Sequence, residues 1–341
     1  MRKRRSPGPR YSWEGLYMKI TRRGLLGTVA LAAPALLLAR SGFAANGPLK
    51  AAIVMPGAIT DHGWSQSGYE AMGLAAKKLG IETAYSEKVT QPDHVEVLSD
   101  YARRGFTHVI GHGGEFQDAI DRVAARFTDT RFIVTNGLHA ANNVSTADFY
   151  FSQPAYVLGF LAGRLSKSGK VGLIQAQKFK FTNDTLAGFE AGFKVARPDG
   201  AVFATWTGDW DDVAKGKEAA LNQIAQGADI IWPTMDSATQ GALQAVREKG
   251  AKAFGLYYDA IMKWPDIMLQ SSILDVKSLI VALLTTARDE GLTGENYRYD
   301  FNNPEVVRLG TFAPEIPAGT TAEVATLMSR IKSGDLVIEP A

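Results

Sequence analysis

The chain has 341 residues, 46% of them hydrophobic, with 37 Lys and Arg, 35 Asp and Glu, and no cysteine. That is enough apolar material for two ordinary lobes, and it excludes disulfides and a lipid-anchored N-terminal cysteine. Residues 1–44 hold nine of the basic residues and one of the acidic, which leaves 28 against 34 and a net of −6. A mildly acidic body argues against nucleic acid as a partner.

Residues 1–45 read as an export signal rather than as fold. Arg22-Arg23 precede the apolar stretch Gly24 to Ala39, and Ser41-Gly42-Phe43-Ala44-Ala45 supplies small residues for cleavage. The stretch is short and rich in Ala and Gly, unlike a membrane span. Paired arginines followed by Leu25-Leu26 point to a twin-arginine signal, with Met18 as the expected start; a Sec signal is the alternative. The mature protein is therefore expected free in the periplasm, without a lipid anchor, as a monomer.

Beyond the signal, strand-like runs alternate with amphipathic stretches. Strands are expected at Leu49–Met55, Ile81–Tyr85, His108–Gly111, Arg131–Thr135, Lys170–Gln175, Ala201–Thr207, Ile230–Pro233, Ala253–Tyr257 and Met268–Ser272. Helices are expected at Gln91–Arg104, Phe116–Phe127, Tyr156–Ser166, Asp184–Arg197, Asp212–Gln226 and Ser237–Lys249. This rhythm predicts parallel sheets wrapped by helices. It restarts after Pro154, so two similar α/β lobes are expected: 48–152 plus about 266–300, and 153–265 plus about 301–335. With no flexible linker in view, short crossing segments would form a hinge, with ligand between the lobes.

Loops after parallel strands line the crevice of such a fold, and here they are polar and aromatic. The first, Gly57 to Tyr69, offers Asp61, Gly63, Trp64 and Ser65, and lacks the glycine spacing of dinucleotide and phosphate loops. After the third strand, Gly113 and Gly114 would let backbone approach a ligand, and Glu115 opens a helix. The second half supplies Asn183, Trp210, Asp236 and Asp259 in matching places.

Each has a plainer reading. Trp64 and Trp210 either plug local holes or clamp a planar ring, and their matched placement favours the clamp. Trp206, inside a strand run, reads as core. Asp61 and Asp236 are either helix caps or ligand acceptors; Asp259, directly after a strand, is the better acceptor. Glu115 either offsets a helix dipole or faces the cleft. The five histidines show no metal-binding spacing; His62 and His112 either line the crevice or are solvated loop residues, the plainer reading. No nucleophile–base pair stands out, and no cofactor is implied.

Four stretches carry a resemblance: Asp61-His62-Gly63-Trp64-Ser65-Gln66, Asp209-Trp210-Asp211-Asp212-Val213-Ala214-Lys215-Gly216-Lys217-Glu218, Gly255-Leu256-Tyr257-Tyr258-Asp259 and Gln270-Ser271-Ser272-Ile273-Leu274. They are similar to motifs of the basic membrane protein family of ABC-transporter solute-binding proteins, which includes purine nucleoside receptors. The resemblance implies a type I periplasmic-binding-protein fold, two Rossmann-like lobes joined by a hinge, and a membrane permease as partner. It implies that Trp64 and Trp210 sandwich a base and that Asp259 holds ribose hydroxyls. A ribose-binding lysine of those relatives aligns with Leu274, so a free nucleobase is favoured over an intact nucleoside. The alternative is an exported enzyme using Asp61, Glu115 or Asp259 as acid–base groups on a heterocycle.

The signal reading has a direct check. Replacing Arg22 and Arg23 by lysine should retain precursor in the cytoplasm, scored by fractionation; unchanged export would assign the Sec route.

Overall fold

The computed structural model describes residues 48–61 and 63–341. The expected export segment and His62 lie outside the described residues. Among those described, no helix is long and apolar enough to cross a membrane.

Two six-stranded sheets organise the chain. The first is built from β1 (Lys50–Val54), β2 (Glu82–Ser86), β3 (His108–His112), β4 (Arg131–Thr135), β5 (Val144–Phe149) and β11 (Asn296–Tyr299), in the order β11-β5-β4-β3-β1-β2. The second takes β6 (Lys170–Gln175), β7 (Ala201–Trp206), β8 (Ile230–Thr234), β9 (Lys252–Leu256), β10 (Met268–Leu274) and β12 (Val307–Leu309), in the order β12-β10-β9-β8-β6-β7. All pairings are parallel except β10 with β12. Leaving out the edge strands β11 and β12, the two sheets repeat one winding, and in each the strand order reverses beside the first strand. Such reversal points open a crevice at the carboxyl ends of the strands.

The central strands are apolar because helices cover both faces: Ala51 to Met55 are fully buried. Helix α1 (Trp64–Leu79) ends where Gly80 turns left-handed at φ 68°, with Lys77 and Lys78 in its last turn facing the negative end of the helix dipole. Helix α6 (Val213–Ala225) begins at Asp212, whose carboxylate accepts the amides of Ala214 and Lys215.

Three differences from the sequence reading have physical causes. Met268–Leu274 lies in the second sheet, parallel to β9, where the sequence reading put it in the first lobe. A buried apolar strand carries no mark of which sheet it joins. Helix α8 (Val276–Asp289), just after it, does pack on α1 of the first lobe. Next, β5 escaped notice because its buried run includes Ser145, Thr146 and Asp148. Arg298 of β11 grips Asp148 through two hydrogen bonds of 2.9 and 3.0 Å, which compensates that buried carboxylate. Finally, Trp206 is half-exposed rather than core, because β7 is an edge strand; Lys178 lies over its ring at 5.6 Å.

Helix α4 (Ser152–Leu165) and helix α5 (Lys180–Ala196) approach almost backbone to backbone. A Cβ at Gly192 would run into the Tyr156 carbonyl, and one at Gly159 into that of Phe189. Gly73 on α1 faces open space instead. Gly192→Ala should therefore destabilise the protein by about 1–3 kcal/mol through overpacking, while Gly73→Ala should stabilise it slightly through helix propensity. Urea denaturation of both variants checks the contrast.

Candidate functional site

The loop after β1 is shaped by its own polar groups. Asp61 is buried, and its carboxylate accepts the amides of Gly63 and Ser65 at 2.8 Å and of Gln66 at 3.0 Å. Both oxygens are thus spent on the otherwise unsatisfied N–H groups that open α1. The Ser65 hydroxyl is likewise turned inward and accepts the Gly57 amide at 3.1 Å. These two residues build the site rather than offer free groups to it.

Trp64 is held from two sides. Its indole N–H donates to the His112 carbonyl at 3.0 Å, and its ring lies on the His112 ring, centroids 4.2 Å apart and 3° from parallel. The Trp64 carbonyl can only accept, so His112 Nε2, 3.0 Å away, carries the proton; Nδ1 then accepts from the Thr135 hydroxyl at 3.1 Å. Burial pushes the His112 pKa down to about 4, so the ring is neutral near pH 7. His112 is fully buried, which corrects its reading as a solvated loop residue. Its place at the end of β3, between glycines, was the available signal. Gly113 takes φ 144° with the Glu115 carboxylate folded over it, and Gly114 abuts the Asn136 carbonyl.

The second lobe meets this loop directly. Asp236, after β8, accepts the Trp64 amide at 3.3 Å, and the Ser237 hydroxyl donates to the Asp61 carbonyl at 3.0 Å. Gly63 makes the approach possible, since a Cβ there would sit 2.7 Å from the Asp236 carboxylate. Trp210 fixes the same turn by accepting the amides of Asp236 and Ala238 on its carbonyl, both at 3.1 Å. Its ring runs nearly parallel to Phe179 and Phe181, at 6.4 and 6.1 Å between centroids.

Around the junction the electrostatics are one-sided. Burial raises the Asp236 carboxyl well above the ordinary carboxylate range, and the charges of Asp61 and Asp211 push it further. Burial also raises Glu115. The Tyr257 phenol is raised by burial, then by Asp236 and Asp61. Glu115 is exposed and Asp236 half-buried although protein surrounds both, as for groups inside a cleft. Tyr257 was not singled out from sequence. It holds a left-handed φ of 70°, unusual for an aromatic residue, and its ring lies 6.1 Å from Trp64.

A cavity of about 450 Å³, large enough for a small ligand, opens between the lobes. Gly63, just before α1, and Ser67 and Glu70 on it line one side, and Tyr257, Tyr258 and Asp259 line it from the second lobe. Glu70 is paired with Lys277 at 3.0 Å and Asp275 with Arg308 at 3.3 Å along its edge. Asp259 spends one oxygen on the Thr311 amide and hydroxyl, at 3.0 and 2.7 Å; the other is buried without a partner. Asp236 lines a neighbouring cavity of about 20 Å³, together with Gly63 and Tyr257. Asn183 lies exposed in the first turn of α5 and lines none of these spaces. No group of three or more His, Asp or Glu among the described residues is arranged to hold a metal.

Comparison with known proteins agrees with this architecture. Residues 49–320 match the Bmp family model, described as ABC transporter substrate-binding protein PnrA-like. The transcriptional activator protein med of Bacillus subtilis is 26% identical over 289 residues, 84% of this chain and 90% of that protein. A purine-binding protein of Brucella abortus is 27% identical over 291 residues, 84% of this chain and 82% of that one. A solved ABC-transporter solute-binding protein from Conexibacter woesei superposes with a TM-score of 0.68 at 26% identity, covering 86% of this chain and 99% of its own. With two lobes of parallel-dominated sheet, a cavity between them and a family match over most of its length, the chain belongs to the Bmp family of ABC-transporter substrate-binding proteins.

Proposed function

We propose that this protein captures a planar, purine-type heterocycle between its lobes in the periplasm and delivers it to a membrane permease. The observation that carries this reading is Trp64: an indole pressed flat on a buried, neutral imidazole at the point where the lobes touch. Fixing an aromatic face before binding lowers the entropy cost of stacking a ligand on it. Trp210, backed by Phe179 and Phe181, is the matching aromatic of the second lobe. Asp259 keeps one carboxylate oxygen without a partner, an acceptor for a ligand N–H or hydroxyl. The purine name of the Brucella relative supports the same class. Leu274, where nucleoside-binding relatives are expected to carry lysine, favours a free base. Asn183, exposed on α5, has no part in this reading.

One observation favours a second reading. Asp236, raised by burial beside Asp61, is the kind of carboxyl that can act as a general acid. Chromatography of a purine library incubated with the protein separates the two, since a receptor returns every compound unchanged.

Calorimetry with adenine, adenosine, guanine and a non-aromatic sugar tests the clamp. Trp64→Ala and Trp210→Ala should each weaken purine binding by about 1–3 kcal/mol, the scale of a lost base–aromatic stack. Trp→Phe should cost less. Tight sugar binding indifferent to both changes would overturn the purine assignment.

The raised carboxyls give a pH test. A ligand N–H favours the ionised form of Asp236, so binding releases a proton wherever the free protein holds one there. Affinity for adenine should therefore rise as the pH is raised above the ordinary carboxylate range. Asp236→Asn should flatten that slope.

A further inference from the structure

A second enclosed space lies at the carboxyl end of the second sheet. It measures about 20 Å³, and Phe151, Phe181, Trp232, Leu256 and Leu274 wall it with apolar surface. Into this apolar pocket project five polar side chains, Gln175, Thr182, Thr185, Thr234 and Ser272. Three of them are already engaged. The single Thr182 hydroxyl proton is shared between the Gln177 and Phe179 carbonyls, that of Thr185 goes to the Phe181 carbonyl and that of Thr234 to the Ile174 carbonyl. Two are not: Gln175 Oε1 and Ser272 Oγ are buried and without a partner.

Their chemistry is settled by what surrounds them. Gln175 Nε2 donates to the Thr182 carbonyl at 3.0 Å, and a carbonyl accepts only, so the other end of the amide is the oxygen. Gln175 is 1% exposed and Ser272 fully buried, so bulk water does not reach them. Leaving two such atoms unpaired forfeits the hydrogen bonds that each makes to water in the unfolded chain. The space holds about one oxygen or nitrogen atom with its hydrogens. An occupant must donate to Gln175 Oε1 and can either give a hydrogen bond to Ser272 or take one from it.

The pocket also adjoins the 450 Å³ cavity between the lobes. Tyr257 and Leu274 line both this space and the 450 Å³ cavity, so they form the wall between them. Tyr257 stands there with its left-handed backbone. The pocket collects residues from the ends of β6, β8, β9 and β10, the position at which parallel sheets present ligands to their loops.

We infer that this pocket is a polar subsite of the ligand cleft that takes a single hydroxyl or amino substituent of the ligand, with a water molecule standing there in the free protein. It rests on the reading of the cleft as the binding site and adds a selectivity rule. The receptor prefers a heterocycle carrying one small hydrogen-donating group over the same ring bearing hydrogen in its place.

The test has two arms. A high-resolution crystal structure of the ligand-free protein should show one ordered oxygen within hydrogen-bond reach of Gln175 Oε1 and Ser272 Oγ; an empty pocket overturns the proposal. Calorimetry then compares adenine with unsubstituted purine, and adenosine with 2′,3′-dideoxyadenosine, on wild type and Ser272→Ala. In one pair, the variant should lose about tenfold of the preference for the substituted probe, the worth of one neutral hydrogen bond, while the bare probe binds as before. Ratios unchanged in both pairs, with purine binding intact, would make the occupant an internal structural water and overturn the subsite. Should wild type bind none of the four probes, the purine reading fails by itself. The crystal arm then decides only whether the pocket takes a polar occupant: an ordered oxygen supports that part of the proposal, and an empty space refutes the whole.

Discussion

Backbone amides at the start of α1 are satisfied from both lobes, and the rest of the site depends on that arrangement. Asp61 takes the N–H groups of Gly63, Ser65 and Gln66 from within the first lobe; Asp236 reaches across from the second to take that of Trp64. The positive end of a helix is a natural anchor for carboxylates. Placing it at the lobe boundary turns a capping interaction into a contact between lobes. Gly63 has to lack a side chain for the second carboxylate to arrive. The peptide that is capped belongs to Trp64, so the same contact positions the indole.

That arrangement concentrates acidity. Asp61, Asp236 and Glu115 lie near one another, and no lysine or arginine is bonded to any of them among the described residues. Burial raises Asp236 and Glu115, and it raises the Tyr257 phenol beside them. Groups in this condition are stabilised by a partner that brings N–H donors, and they oppose an anionic one. A phosphorylated ligand would meet repulsion here, whereas the edge of an aminated heterocycle would meet acceptors. On the proposed function, the aromatic surfaces of Trp64 and Trp210 would take the flat faces of the same kind of molecule.

The two sheets share one winding, with β2-β1-β3-β4-β5 answered by β7-β6-β8-β9-β10. Each therefore points its carboxyl ends, and the polar loops after them, toward the other. Glycines let α4 and α5 pack nearly backbone to backbone in the second lobe, and the buried Asp148–Arg298 pair ties β11 to β5 in the first. Short segments near residues 150, 275 and 300 pass between the lobes.

What the sequence by itself determined is local and periodic. Arg131–Thr135 and Lys170–Gln175 were legible to the residue, because a strand buried on both faces is an unbroken apolar run. The loops that carry Trp64, Trp210, Asp236 and Asp259 were legible for a related reason: polar and aromatic residues directly after such strands have few other places to go. The tertiary structure alone decided which sheet Met268–Leu274 joins, since the same pattern suits either. It alone showed β5, whose Asp148 is tolerable only with Arg298 about 150 positions away. It alone separated Asp61, consumed by its own loop, from Asp259, which keeps an oxygen without a partner. And it alone placed His112 beneath Trp64, Tyr257 in its strained turn, and Gln175 beside Ser272. Partners distant in sequence leave no periodic trace, and whether a polar atom is satisfied depends on those partners.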